Sequence, residues 1–260
     1  MGILWVLGGL LVGGLAGAGL VAWRLLPRIH RLELGTQRIA QLDGARKQFI
    51  ATASHELRTP IFSLGGFVEL LEDDDLDPDT RRRFLGHISE QVERLRKLSV
   101  DLLDLSRLEA DALELRPEPV DLGELTRSVA SEFEPALAAH DALLELHLAR
   151  RIDAICDPVR VAQIVRILID NALTHTPKGT KILLSAGRSG SLVHVAVHDD
   201  GAGIASGRLD RIFEPFFTSD EVHGSGLGLA IASELAGRMD GRLSVQSEPG
   251  STTFELLLPA

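Results

Sequence analysis

Four clusters in this chain combine residue types and spacings that can do chemistry. His55 is followed at once by Glu56 and, one helical turn later, by Thr59. An imidazole that titrates near neutral pH, next to a carboxylate able to take its ring proton, is a nucleophile with its base. On a helix, Thr59 borders the same patch; an isolated histidine in such a place is otherwise an ordinary surface residue. Asn171 falls on the apolar face marked by Ile164, Leu168 and Ala172. A buried amide needs partners, so it either caps a neighbouring loop or offers a hard oxygen to Mg²⁺ alongside phosphate oxygens and water.

The third cluster starts at Asp199, the last of the alternate residues Val193, Val195, Val197 and Asp199. Period two turns its carboxylate inward, where the amino group of adenine would supply a donor. Gly201 and Gly203 let the chain turn closely around a planar base, although Asp-x-Gly-x-Gly alone reads as well as a turn. The fourth, Gly224-Ser225-Gly226-Leu227-Gly228-Leu229, opens a helical pattern. Free N–H groups and the positive end of the helix dipole would face an anion there, with phosphate the natural one; standing alone it is a glycine-rich turn.

The elements that must hold these groups have distinct periodicities. Ile50, Ser54, Leu57, Ile61, Leu64, Val68 and Leu71 alternate spacings of four and three, the seam of a packed helix, and His55 lies just beside it. After the acidic stretch Asp73 to Asp79, a second seam runs through Phe84, Ile88, Leu95, Leu98, Leu102 and Leu105, with Gln91 out of character. Two such helices predict an antiparallel hairpin over 46–112 that pairs with a second copy as a four-helix bundle. Pro117 and Pro119 mark a hinge over 113–120. Beyond it, helical patterns at Leu122 to Ala139, Val159 to Leu173 and Leu227 to Arg238 alternate with strand-like runs at Lys181 to Ala186, around Val193 to Asp199 and at Leu243 to Leu258. They predict one two-layer α/β domain over 121–260.

Charge and composition narrow the classes. A net charge of −10 with no clustered Lys or Arg face argues against nucleic acid as a partner. The single cysteine, Cys156, has no partner for a disulfide and no zinc-ligand spacing around it, and reads as a small buried hydrophobe. Residues 3–23 carry no charge and span roughly 30 Å as a helix, enough to cross a bilayer once. Arg24, Arg28 and Arg31 follow, so the bulk of the chain is expected in the cytoplasm, tethered to the cytoplasmic membrane through a helical linker over 24–45. Gly9, Gly13 and Gly17 recur on one face of that span, where two helices can approach closely, although the segment reads equally as simply glycine-rich.

The string Ser54-His55-Glu56-Leu57-Arg58-Thr59-Pro60 resembles the phosphoacceptor motif of sensor histidine kinases. Arg166 to Pro177 resembles their asparagine segment, with Ile167 in place of a frequent first asparagine and Thr174 in place of a frequent Lys or Arg. Ile212-Phe213-Glu214-Pro215-Phe216-Phe217 looks like the aromatic segment before their ATP lid, although these phenylalanines read equally as core. The lid itself, Thr218 to His223, has no Lys or Arg. The order of motifs, closed by Ser247-Glu248-Pro249-Gly250-Ser251-Thr252-Thr253-Phe254, is the family's over roughly 46–260.

That resemblance implies a multidomain protein: a transmembrane helix, a dimeric phosphotransfer hairpin and an α/β sandwich of the type shared with gyrase and Hsp90-type ATPases. It implies autophosphorylation of His55 from ATP with Mg²⁺, and transfer to an aspartate of a separate response regulator. Asn171 would hold the metal; Asp199, Gly201, Gly203, Gly224, Gly226, Leu227 and Gly228 would bind nucleotide. Thr59 would position water for dephosphorylating the regulator. A signal would arrive through the membrane helix, from lipid or a membrane protein.

Overall fold

The computed structural model of the protein describes residues 44, 47, 49–73, 75–110, 112–218 and 225–260. The expected membrane span 3–23, nearly all of the linker 24–45, and Gly224 lie outside them. No described helix is long and apolar enough to cross a membrane. The chain divides into two compact units, residues 1–54 and 55–260. In the first, the described residues are helical.

The second unit begins with a helix over residues 55–71, here α1. It is followed by α2 (Pro78–Glu109), whose start is set by Pro78 at the first turn and by Asp77, which accepts from the N–H groups of Asp79 and Thr80. Phe67 of α1 packs on Phe84 and stacks on His87 of α2, at ring distances of 5.6 and 5.2 Å. These contacts make the hairpin. Leu98, Leu105 and Leu108 on the C-terminal half of α2 are buried, and α2 packs against α7 (Gly228–Arg238).

The α/β part contains β1 (Glu118–Asp121), α3 (Leu122–Glu132), α4 (Glu134–His140), β2 (Leu143–Leu148), β3 (Asp153–Cys156), α5 (Pro158–His175), β4 (Lys181–Ser189), β5 (Leu192–Asp199), α6 (Ser206–Leu209), α7, β6 (Arg242–Glu248) and β7 (Ser251–Pro259). Five strands form one sheet in the order β2-β4-β5-β7-β6, parallel only between β2 and β4. Val193, Val195 and Val197 of β5 alternate with less buried neighbours, as do Ile182 and Leu184 of β4 and Phe254, Leu256 and Leu258 of β7. They meet α3, α5 and α7, whose apolar stripes include Val129, Ile164, Val165, Leu168, Ile231 and Leu235.

Three segments differ from the sequence reading. The helical pattern Leu122 to Ala139 is two helices, interrupted at Phe133 because Pro135 near the start of α4 cannot donate into a continuous ladder. The hinge 113–120 contains the start of β1, which pairs antiparallel with β3 and includes Pro119 opposite Ile155. A proline fits there because the ribbon has only two strands and leaves one side of β1 unpaired. β2 has no counterpart in the strand-like runs read from sequence; as a sheet edge it buries too little to show a clean alternation.

Candidate functional site

A cavity of about 250 Å³ opens between α5, the turn after β5, the start of α7 and α2. Asp199, at the end of β5, is buried and lines it. One carboxylate oxygen accepts the Gly201 N–H at 3.0 Å. Burial pushes the Asp199 carboxyl above the ordinary aspartate value, opposed by that N–H and by the nearby charge of His198. The result is a desolvated acceptor facing an opening.

Two glycines are required by close approach. A Cβ on Gly201 would stand 2.8 Å from the Asp199 carboxylate and 2.6 Å from the Thr176 methyl, so any side chain would crowd the acceptor. Gly203 has φ +79°, and its Cβ would meet the Glu248 carbonyl oxygen at 2.2 Å. Gly203 lines the cavity, whereas Gly201 braces Asp199 from behind.

Thr252 of β7 completes this end. The register places it directly opposite Asp199, and it is buried and lines the cavity. Its hydroxyl lies 2.9 Å from Ser247 Oγ, which also accepts the Ile204 N–H at 2.8 Å. The turn after β5 and the β6–β7 turn are thereby tied together. An acceptor, a hydroxyl and close backbone suit a flat, amino-bearing base.

The other end offers backbone N–H groups. Gly226 (φ +66°), Gly228 and Leu229 line the cavity where α7 begins, and the N-cap residue Leu227 has no side-chain acceptor to give the first N–H groups of that helix. A Cβ on Gly226 would strike the Phe216 backbone at 2.6 Å, while the Phe216 N–H donates to the Gly226 carbonyl at 2.9 Å. The Leu227 side chain is wholly buried, so what this residue offers the turn is its backbone, whose N–H donates to Ser225 Oγ at 3.3 Å. Gly224 lies outside the described residues. Asn171 lines this end from α5, four residues before the helix stops, beside Asp170 and Thr174. Its amide oxygen fits one ligand of a Mg²⁺ ion that takes the rest from phosphate and water.

Several lining residues carry no role in the sequence reading. Lys97 and Asp101 enter from α2: Lys97 pairs with Asp170, and Asp101 accepts from Ser225 Oγ at 3.0 Å. Phe217 lines the cavity with Arg211 4.6 Å over its ring, and Phe213 and Phe216 are half-buried, so none of the three is plain core. Cys156 is buried, and burial with the charges of Asp157 and Glu118 pushes its thiol up to about 11, leaving it unreactive.

His55, Glu56 and Thr59 are not among the lining residues. His55 is exposed on α1, and Thr59 Oγ1 donates back to its carbonyl at 3.4 Å. Glu56 is half-buried, its carboxylate 3.6 Å from the Arg94 guanidinium of α2. The phosphoacceptor candidate and the cavity are therefore separate sites.

Residues 45–111 match the family described as His Kinase A (phospho-acceptor) domain, and residues 156–260 the histidine kinase-, DNA gyrase B- and HSP90-like ATPases. The sensor-like histidine kinase SenX3 of Mycobacterium tuberculosis is 32% identical over 227 residues, covering 85% of this chain and 55% of SenX3. The sensor histidine kinase RcsC of Escherichia coli is 31% identical over 231 residues, 86% of this chain and 24% of RcsC. The chain thus spans at most about half the length of these relatives. Among solved structures, the Acinetobacter baumannii histidine kinase AdeS superposes with a TM-score of 0.68 at 30% identity, covering 79% of this chain and 97% of that one. Full-length ShkA, solved with AMPPNP, gives 0.62 at 33% identity over 80% of this chain and 45% of that one.

Proposed function

Because this chain belongs to the histidine kinases of two-component systems, we propose that it moves the γ-phosphoryl group of ATP onto His55 and passes it to an aspartate of a response regulator. The observation that carries the reading is an exposed histidine on a rigid helix, in the same chain as a cavity with a desolvated acceptor at one end and the start of a helix at the other.

Asp199 and Thr252 receive the adenine amino edge, and the backbone from Gly226 to Leu229 receives the phosphates. Asn171 supplies an oxygen to Mg²⁺, whose part is to neutralise phosphate charge. Glu56, oriented by Arg94, takes the Nδ1 proton of His55 and leaves Nε2 as the nucleophile toward phosphorus. Because His55 stands apart from the cavity, the ATP-binding domain must move to deliver the phosphoryl group, and positioning supplies most of the catalysis. Thr59, one turn from His55, positions water when the phosphorylated regulator is dephosphorylated. The chain works as a homodimer, anchored in the cytoplasmic membrane by residues 3–23 with lipid or a membrane protein as the signal source.

The test is incorporation of radiolabelled phosphate by the full-length protein in detergent micelles. The parent should accept acid-labile phosphate, and His55→Ala should accept none while binding ATP with parental affinity. Equal labelling of both proteins would move the acceptor to another of the nine histidines.

A further inference from the structure

Lys97 reaches the cavity from outside the ATP-binding domain. Successive turns of α2 present Lys97 and Asp101 to it. Lys97 Nζ forms a hydrogen-bonded ion pair with Asp170, the neighbour of Asn171, and Asp101 accepts from Ser225 just ahead of α7. Both contacts lie at the end bounded by Asn171 and the start of α7, where the phosphates are expected.

The charge there is unfavourable for a polyanion. Asp101 and Asp170 are carboxylates, and Thr174 is neutral. Arg208, the other basic side chain of Lys or Arg type among the described lining residues, sits on α6, after the turn that follows Asp199. Lys97 is thus the ammonium at the phosphate end. Its three N–H donors allow it to hold Asp170 and a phosphate oxygen together. The Lys97–Asp170 pair is about half exposed (52% and 45%), so partial exchange of carboxylate for phosphate costs little.

We propose that Lys97 is a phosphate-binding residue supplied by the hairpin, so that affinity for a nucleoside triphosphate depends on α2 being docked beside the ATP-binding domain. The proposal rests on the nucleotide reading of the cavity. A charge contributes in proportion to the charge it meets, so Lys97 should favour triphosphate over diphosphate and leave the nucleoside untouched.

Calorimetric titration of the full-length protein in micelles with Mg²⁺ and a non-hydrolysable ATP analogue, ADP or adenosine tests it. Lys97→Met should weaken the triphosphate analogue about tenfold, the loss of one charge-assisted contact, with a smaller effect on ADP and none on adenosine. Lys97→Arg should restore most of the affinity. Asp170→Asn, which removes the competing carboxylate, should bind the analogue at least as tightly as the parent. Unchanged triphosphate affinity in Lys97→Met, or equal weakening of all three ligands, overturns the proposal. So does an Asp170→Asn variant that reproduces the Lys97→Met loss, because Lys97 would then serve only to hold Asp170. A parent that binds none of the three ligands sinks the nucleotide reading and this proposal with it.

Discussion

At Asp199, folding and ligand binding pull in opposite directions. Its folded carboxyl lies above the ordinary value of 3.8, chiefly through burial. The fold therefore favours the protonated form, and stability is lost as pH rises through the folded value and regained below 3.8. Asp199→Asn keeps the shape and an acceptor for the Gly201 N–H without the desolvated charge. It should melt above the parent at pH 7, with the gap closing toward pH 4, and should bind adenine nucleotides more weakly because an amide oxygen is the poorer acceptor. Equal melting temperatures at both pH values would mean that the carboxylate is not strained. The inward direction of Asp199 is legible from period two alone. The roles of Thr252, Lys97 and Asp101 are not: Thr252 depends on the β5–β7 register, and Lys97 and Asp101 on partners 73 and 124 residues away. Leu227 shows the converse, since its place in a glycine motif hides a side chain that belongs to the core.

Helix α5 carries Asp170, Asn171 and Thr174 into the cavity, so its start fixes their placement. Asp157 caps it, accepting the Val159 and Arg160 N–H groups at 3.0 and 3.2 Å on one oxygen and the Arg116 N–H at 2.9 Å on the other. The cap thereby also ties down the chain that leaves α2. Asp157→Ala should cost about 1–2 kcal/mol, the upper part of the range for a lost N-cap, because the Arg116 N–H loses its acceptor along with the two cap N–H groups. Urea denaturation followed by circular dichroism measures it, and a loss below about 0.3 kcal/mol would show that water replaces the carboxylate. Elements with a strong period are legible in the sequence. The patterns at Val159 to Leu173 and Lys181 to Ala186 fall within observed elements that run one to three residues further, and the pattern at Leu227 to Arg238 matches α7 to within one residue at its start. Elements at the margins are not. β1 and β3 form a two-stranded ribbon, and β2 is an edge whose parallel pairing with β4 is a tertiary fact without a local signature.

The hairpin carries apolar surface that the other described residues leave uncovered. The seam of α2 read from sequence is half-buried or buried, from Phe84 through Leu105. A second strip, Leu85, Val92, Val100 and Leu103, falls on one side of the same helix and is about half exposed. On α1, Ile61 and Val68 are exposed one heptad apart. Half-exposed side chains in such a row leave roughly half of the ~1.5–3 kcal/mol of full burial ungained, and a second hairpin laid against them would make a four-helix bundle. The two helices of one hairpin bury the first seam; the second fits the second copy proposed above, and sequence spacing alone does not separate the two. Leu85→Asp with Val92→Asp should therefore convert the protein from dimer to monomer, since two charges per chain would be desolvated at the interface. Light scattering on the full-length protein in micelles, corrected for detergent, reads the mass. Affinity for a non-hydrolysable ATP analogue should be unaffected, because neither residue lines the cavity or touches Lys97 or Asp101. A double variant that stays dimeric would place the interface on other surfaces and leave this strip as a docking face for the regulator.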